Sequence, residues 1–262
     1  MLDGYAWLPA LLRRVGGSTV QTRVMGQRAL VLRGPDAVQF FYDERHVRRH
    51  TAVPEPVQGT LFGHRAVHTL DGADHRHRKA MFLSLLTDPC GVAALVEQVA
   101  AAWDDALAMS GDGRQMVLFD EASRVITKGV CGWAGIDLDD AGVAPVARDL
   151  TAMVDGFATL GPRHWRARRA RRRREDWLTA LVEQVRAGAV TAPAGSALDE
   201  ITGHRHRDGQ LMDGKLAAVE LLNIIRPTVA VSWFVAFTAH ALHRWPEQRD
   251  RLRAGYATAF AH

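Results

Sequence analysis

Cysteine is scarce in this 262-residue sequence: Cys90 and Cys131 are the only two. A disulfide scaffold and a four-thiolate metal site are therefore excluded. Two free thiols suit a reducing, cytoplasmic setting. Lysine is scarcer than usual too, at Lys79, Lys128 and Lys215 only, so arginine supplies nearly all of the 33 basic residues. The net charge of +4 and a pI near 9.5 permit an anionic partner. A genome rich in arginine codons accounts for the bias equally well. The N-terminal MLDGYAWLPALLRR has an acid at Asp3 and no basic segment before its apolar stretch, so it does not read as a secretory signal. No repeat of fixed period occurs, which excludes solenoids and propellers. What is present is ordinary globular composition, 47% hydrophobic and 24% charged, which excludes disorder.

Strand formers cluster only near the start. Residues 18–33 predict two short strands around a turn at Gly26, and Gly34-Pro35-Asp36 opens a helix that Phe40, Phe41 and Tyr42 close. Helical periodicity follows at 73–87, 90–110, 118–135, 143–160 and 164–188, with a loop at 189–210. A long helix is expected at 213–243, and Trp245-Pro246 starts another. The fold class is mainly α with a small N-terminal β element, organised as one domain over 1–262.

The 213–243 helix is the most informative segment. From Leu221 it reads LLNIIRPTVAVSWFVAFTAHAL, apolar all round, and so central and buried. A membrane span is disfavoured, because the uninterrupted apolar run is short and Arg226 in lipid costs roughly 2.5–3.5 kcal/mol. Arg226-Pro227 breaks two rules at once. Proline inside a helix removes a donor, and a buried arginine needs an anion. Glu220, six residues away, is on another face, so the helix supplies no partner at the i+3 or i+4 spacing. The charge comes either from a distant acid of the fold or from a ligand.

Two more segments carry polar chemistry. TLFGHRAVHTLDGADHRHRKAMF at 60–82 holds His64, His68, His75 and His77 among arginines. His-x-His spacing can chelate a metal, but the basic neighbours repel a cation. An anion-binding helix start fits better, with Asp74 as cap and His75 and Lys79 sharing a face at i and i+4. RHWRARRARRRR at 163–174 holds eight arginines and one tryptophan. Nucleic-acid binding calls for interleaved aromatics, so this run reads as a solvated helical face.

TLFGHRAVHTLDGADHRHRKAMFLSLL and AAVELLNIIRPTVAVSWF resemble the bacterial fatty-acid peroxygenases and decarboxylases of the cytochrome P450 superfamily, from about Val15 onward. The Arg-Pro pair in an apolar helix is the specific signature. The resemblance implies a heme b cofactor, a fatty acid and hydrogen peroxide as substrates, and hydroxylation or decarboxylation as the outcome. It implies no redox partner, nucleic acid or membrane span. It makes Arg226 the carboxylate anchor, Pro227 its partner, and Phe62 and His68 residues over the distal heme face. His75 and Lys79 would meet the heme propionates. His68 is similar to the decarboxylating relatives, which leaves the product open. The family's thiolate loop, Phe-x2-Gly-x3-Cys-x-Gly, is absent, and Glu183-x2-Arg186 matches the Glu-x2-Arg letters in the wrong helix. An N-terminal portion of such an enzyme, inactive alone, is the expectation. The alternatives are a non-catalytic fragment and an Arg-rich nucleic-acid binder.

Overall fold

A computed structural model describes residues 6–24, 26–110, 115–157 and 159–255. Helix α1 (Trp7–Val15) leads into β1 (Thr19–Val24) and β2 (Gln27–Leu32), an antiparallel pair with Thr19 opposite Leu32 and Val24 opposite Gln27. Gly26, at φ +80°, takes the left-handed conformation the tight turn requires. Helix α2 (Pro35–Tyr42) begins with proline at its first turn, as expected.

A single turn, α3 (Glu55–Val57), runs into a π-turn at Gln58–Phe62. Long helices follow: α4 (Gly72–Leu86), α5 (Pro89–Ser110), α6 (Leu118–Trp133), α7 (Asp140–Gly156) and α8 (Pro162–Arg186). The 189–210 stretch is not all loop, because α9 (Ala197–Gly203) lies inside it. Its signal was a cap: Ser196 Oγ accepts from the Asp199 N–H, with Asp199 and Glu200 in the first turn.

The 213–243 helix is divided at Ala230 into α10 (Gly214–Val229) and α11 (Val231–Arg244), and α12 (Pro246–Arg253) follows. Together Gly214–Arg244 are long and apolar enough to cross a membrane. Instead α10 packs against α6, α7, α8 and α9 at the centre. Leu221, Leu222, Ile224 and Ile225 are buried there with Val130, Leu150, Met153 and Leu178. The expectation of all-round burial fails for α11. Only Ser232 is buried on it, and Phe234 and Phe237 are 71% and 56% exposed. Periodicity reads composition around a helix, not whether neighbours exist to cover it.

Five of the eight arginines of the α8 run, Arg163, Arg166, Arg169, Arg172 and Arg173, are exposed, as a solvated face predicts, but the run is also ion-paired. Arg163 and Arg166 pair with Asp155, Arg168 with Glu55 at 2.9 Å, and Arg171 with Glu175 at 2.6 Å. Arg173 and Arg174 both reach Asp149 of α7, at 2.5 and 3.0 Å. The run ties α8 to α7 and to the Glu55 turn through acids remote in sequence.

Candidate functional site

Glu220, Asn223 and Arg226 follow one another at three-residue steps along α10, and all three are buried. Glu220 is fully buried. Its Oε1 accepts from the Val67 N–H at 2.8 Å and from Arg78 Nη1 at 2.9 Å, and its Oε2 accepts from Asn223 Nδ2 at 3.3 Å. Burial raises the Glu220 carboxyl above its ordinary range, and these three donors oppose that. Arg78, on α4, thus takes the acid nearest in sequence to Arg226.

Arg226 itself is 6% exposed, and its Nε is buried with no hydrogen-bond partner. No carboxylate among the described residues lies within ion-pair distance of it, so the distant-acid reading finds no partner there. Burial and then the charge of Arg171 pull its guanidinium down to about 10. It stays a cation at neutral pH. The Phe62 ring lies beside it, 5.9 Å from ring centroid to guanidinium carbon. Pro227 brings no N–H to the helix. Thr228 Oγ donates to Ile224 O at 2.9 Å, so its hydroxyl is already engaged.

His68 packs on Phe62 with ring centroids 4.3 Å apart. Its Nδ1 is buried without a partner. Burial first, then Arg226, Arg171 and His75, push the imidazole down to about 4. His68 is therefore neutral near pH 7. The structure thus brings Arg226, Phe62 and His68 together, with Pro227 next in chain to Arg226.

His75 and Lys79 stand one turn apart on α4, His75 buried and Lys79 exposed. His75 Nδ1 has no hydrogen bond; its nearest acid is Glu44, with Oε1 at 3.8 Å. Burial, Arg49 and Lys79 lower its pKa. Asp74 does not cap α4. The cap position belongs to Asp71, whose carboxylate turns back to accept from the Arg49 and His50 N–H groups at 2.6 and 3.0 Å. Asp74 sits in the first turn and is 3.4 Å from Arg207. Among the described residues, no three His, Cys, Asp or Glu side chains converge as a metal site.

Cys90 is exposed at the start of α5, and Cys131 is fully buried in the α6 core, its thiol pushed up to about 12 by burial. Glu183 and Arg186 sit on α8, where Arg186 donates to Thr202 O and Met212 O and so fastens α9. Arg78, Asn223 and Arg171 are not assigned to the site by the sequence, and Glu220 reads there only as an acid on the wrong face of the helix to pair with Arg226. Asn223, a lone amide in an apolar helix, was the one legible signal.

No protein-family model matches the chain. Solved structures match it closely. Cytochrome P450EX alpha (CYP152N1), solved with myristic acid, is 33% identical with a TM-score of 0.90, over 97% of this chain and 61% of that one. Cytochrome P450SP alpha (CYP152B1), in complex with (R)-ibuprofen, is 36% identical at 0.90, over 95% and 61%. A variant of cytochrome P450 OleT in complex with arachidonic acid is 29% identical at 0.90, over 96% and 60%. The chain spans about three fifths of the length of these structures, and over that span it is similar to CYP152 cytochromes P450 and has their fold.

Proposed function

We propose that this chain forms the fatty-acid-anchoring part of a heme-dependent, peroxide-using hydroxylase or decarboxylase. The observation that carries this reading is Arg226: a buried cation with an unpartnered Nε, in a setting that holds Arg171 and His68 but no pairing acid among the described residues. A fatty-acid carboxylate supplies the missing charge through two parallel N–H···O bonds. The fatty acids bound in two of the matching structures support the substrate class.

The residues fit a heme in part. The unbonded His75 Nδ1 and the Lys79 ammonium offer donors to propionates, which agrees with the anion-binding reading of α4. Neither cysteine fits an axial ligand, because Cys131 is a core thiol held protonated and Cys90 lies at the surface. Peroxide activation is the chemistry that a bound heme supplies. The chain's own residues bind and orient. Arg226 grips the carboxylate, Phe62 covers the guanidinium, and neutral His68 presents Nδ1 as a hydrogen-bonding group without adding charge. With Thr228 engaged and no acid beside Arg226, the substrate carboxylate is the acid–base group there, holding or yielding a proton at its outer oxygen.

The test compares myristate with methyl myristate, titrated into the chain by calorimetry. The acid should bind about 30-fold or more tighter than the ester, as expected for a buried charged hydrogen-bond pair. Arg226→Ala should erase that preference. Equal wild-type affinities, or a preference that survives in Arg226→Ala, would refute the anchor.

A further inference from the structure

We propose that Arg171 of α8 and Asn223 of α10 are positioning residues that clamp two consecutive carbonyls, Leu61 O and Phe62 O, and so set the Phe62 ring beside Arg226. The clamp deepens the carboxylate reading, and it stands on contacts present without any ligand.

The π-turn Gln58–Phe62 ends abruptly. Gly63 closes it by donating to Gln58 O at 2.8 Å. The last carbonyls of such a turn lack donors from within it. Arg171 Nη1 donates to Leu61 O at 2.5 Å, and Asn223 Nδ2 donates to Phe62 O at 2.9 Å. The two donors come from different helices. Arg171 is 2% exposed and Asn223 5%, so both donors are buried.

Gly63 shows how close the clamp is. A Cβ there would overlap Arg171 Nη2 and lie 2.6 Å from Val219 Cγ1, and its φ is +82°. A side chain at position 63 would collide with the guanidinium where it now lies. Arg171 Nη2 is buried there without a hydrogen-bond partner. Arg171 is also neutralised by Glu175 at 2.6 Å, so its role at Leu61 does not require the substrate's charge. Asn223 in turn is oriented by Glu220, which Arg78 and Val67 hold. A line of contacts therefore runs from α4 through α10 to the backbone of Phe62, the residue whose ring touches both His68 and the Arg226 guanidinium.

The readout is the His68 ring in the ligand-free chain. Its protons feel the ring current of Phe62 at 4.3 Å, so their NMR shifts report where that ring sits. Asn223→Leu keeps the volume but donates nothing. It should move the His68 resonances toward their positions in Phe62→Ala. Arg171→Met should do the same. Should Arg171→Met fail to fold, because it strands Glu175, Asn223→Leu decides alone. Myristate affinity should fall about fivefold in Asn223→Leu, the worth of one buried hydrogen bond. That loss should vanish when Phe62 is already alanine, since residues acting through one contact are non-additive. His68 resonances unmoved in Asn223→Leu, or affinity losses that simply add, would overturn the clamp. A wild-type chain that binds acid and ester alike would sink the carboxylate reading, and the His68 shifts would still decide the clamp.

Discussion

Replacing Arg226 by methionine should make the ligand-free chain more stable, not less. A buried ion pair broken at one partner is destabilising, but Arg226 has no acidic partner among the described residues to strand. The depression of its guanidinium to about 10 corresponds to a charge penalty of roughly 3 kcal/mol in the fold. Methionine keeps most of the aliphatic stem and removes the charge. It forfeits the cation–π contact with Phe62 at 5.9 Å, worth about 2 kcal/mol at a desolvated site. The net gain is then about 1 kcal/mol. For a chain of this size each kcal/mol moves Tm by roughly 2–4 °C, so Arg226→Met should melt about 2–4 °C higher by scanning calorimetry. Saturating myristate should raise the wild-type Tm, since a ligand that binds only the folded state stabilises it by linkage. It should leave Arg226→Met unmoved. A variant that melts several degrees lower without ligand would mean that the fold itself uses this charge, and the argument would fail.

Two further outcomes follow from the titrating groups. His68 is held near 4, below its ordinary value, so between about pH 6.5 and 4 the unfolded chain binds the proton that the folded chain refuses. That contribution is fully present above pH 6.5 and is lost as pH falls toward 4, up to about 3 kcal/mol before residual exposure is discounted. His68→Gln should flatten the acid limb of a Tm-against-pH profile, and an unchanged limb would remove His68 as its source. For the thiols, Cys90 is exposed and Cys131 buried with its thiol near 12. A thiol reagent at neutral pH should therefore modify one cysteine in the native chain and two in denaturant; rapid native labelling of Cys131 would contradict its burial.

Local signals carried the elements well because they are local. Pro35 at a first turn, Gly26 between two strand-rich segments and the periodicity of α4 to α8 each need only a few neighbouring residues. Boundaries drifted where caps decide them: α7 begins at Asp140, behind the Asp139 carboxylate that accepts from the Gly142 N–H, and α9 begins behind Ser196. Arg226 was legible as a problem, a charge without a partner on its own helix. The solution to the neighbouring charge was not, because Arg78 reaches Glu220 across 142 residues. The partners of the exposed α8 arginines were hidden for the same reason, since Asp149 and Asp155 meet them only when α7 folds back. The family likeness reached Phe62, His68 and Arg226 by their motifs, while Arg171 and Asn223 act on backbone carbonyls that no motif records.

The break at Ala230 divides one helical axis into two regimes of local opening. Thirteen of the sixteen residues of α10 are buried, against Ser232 alone on α11. Amide protons of α10 exchange with solvent only through large, costly openings, whereas those of α11 need little more than fraying. Pro227 has no amide proton, so the boundary is already marked by a gap in the hydrogen-bond ladder. Arg226 sits on the slow side of that boundary, four residues before it. Its guanidinium is thus carried by the part of the helix that rarely opens, while the segment just beyond can breathe without dragging the anchor with it.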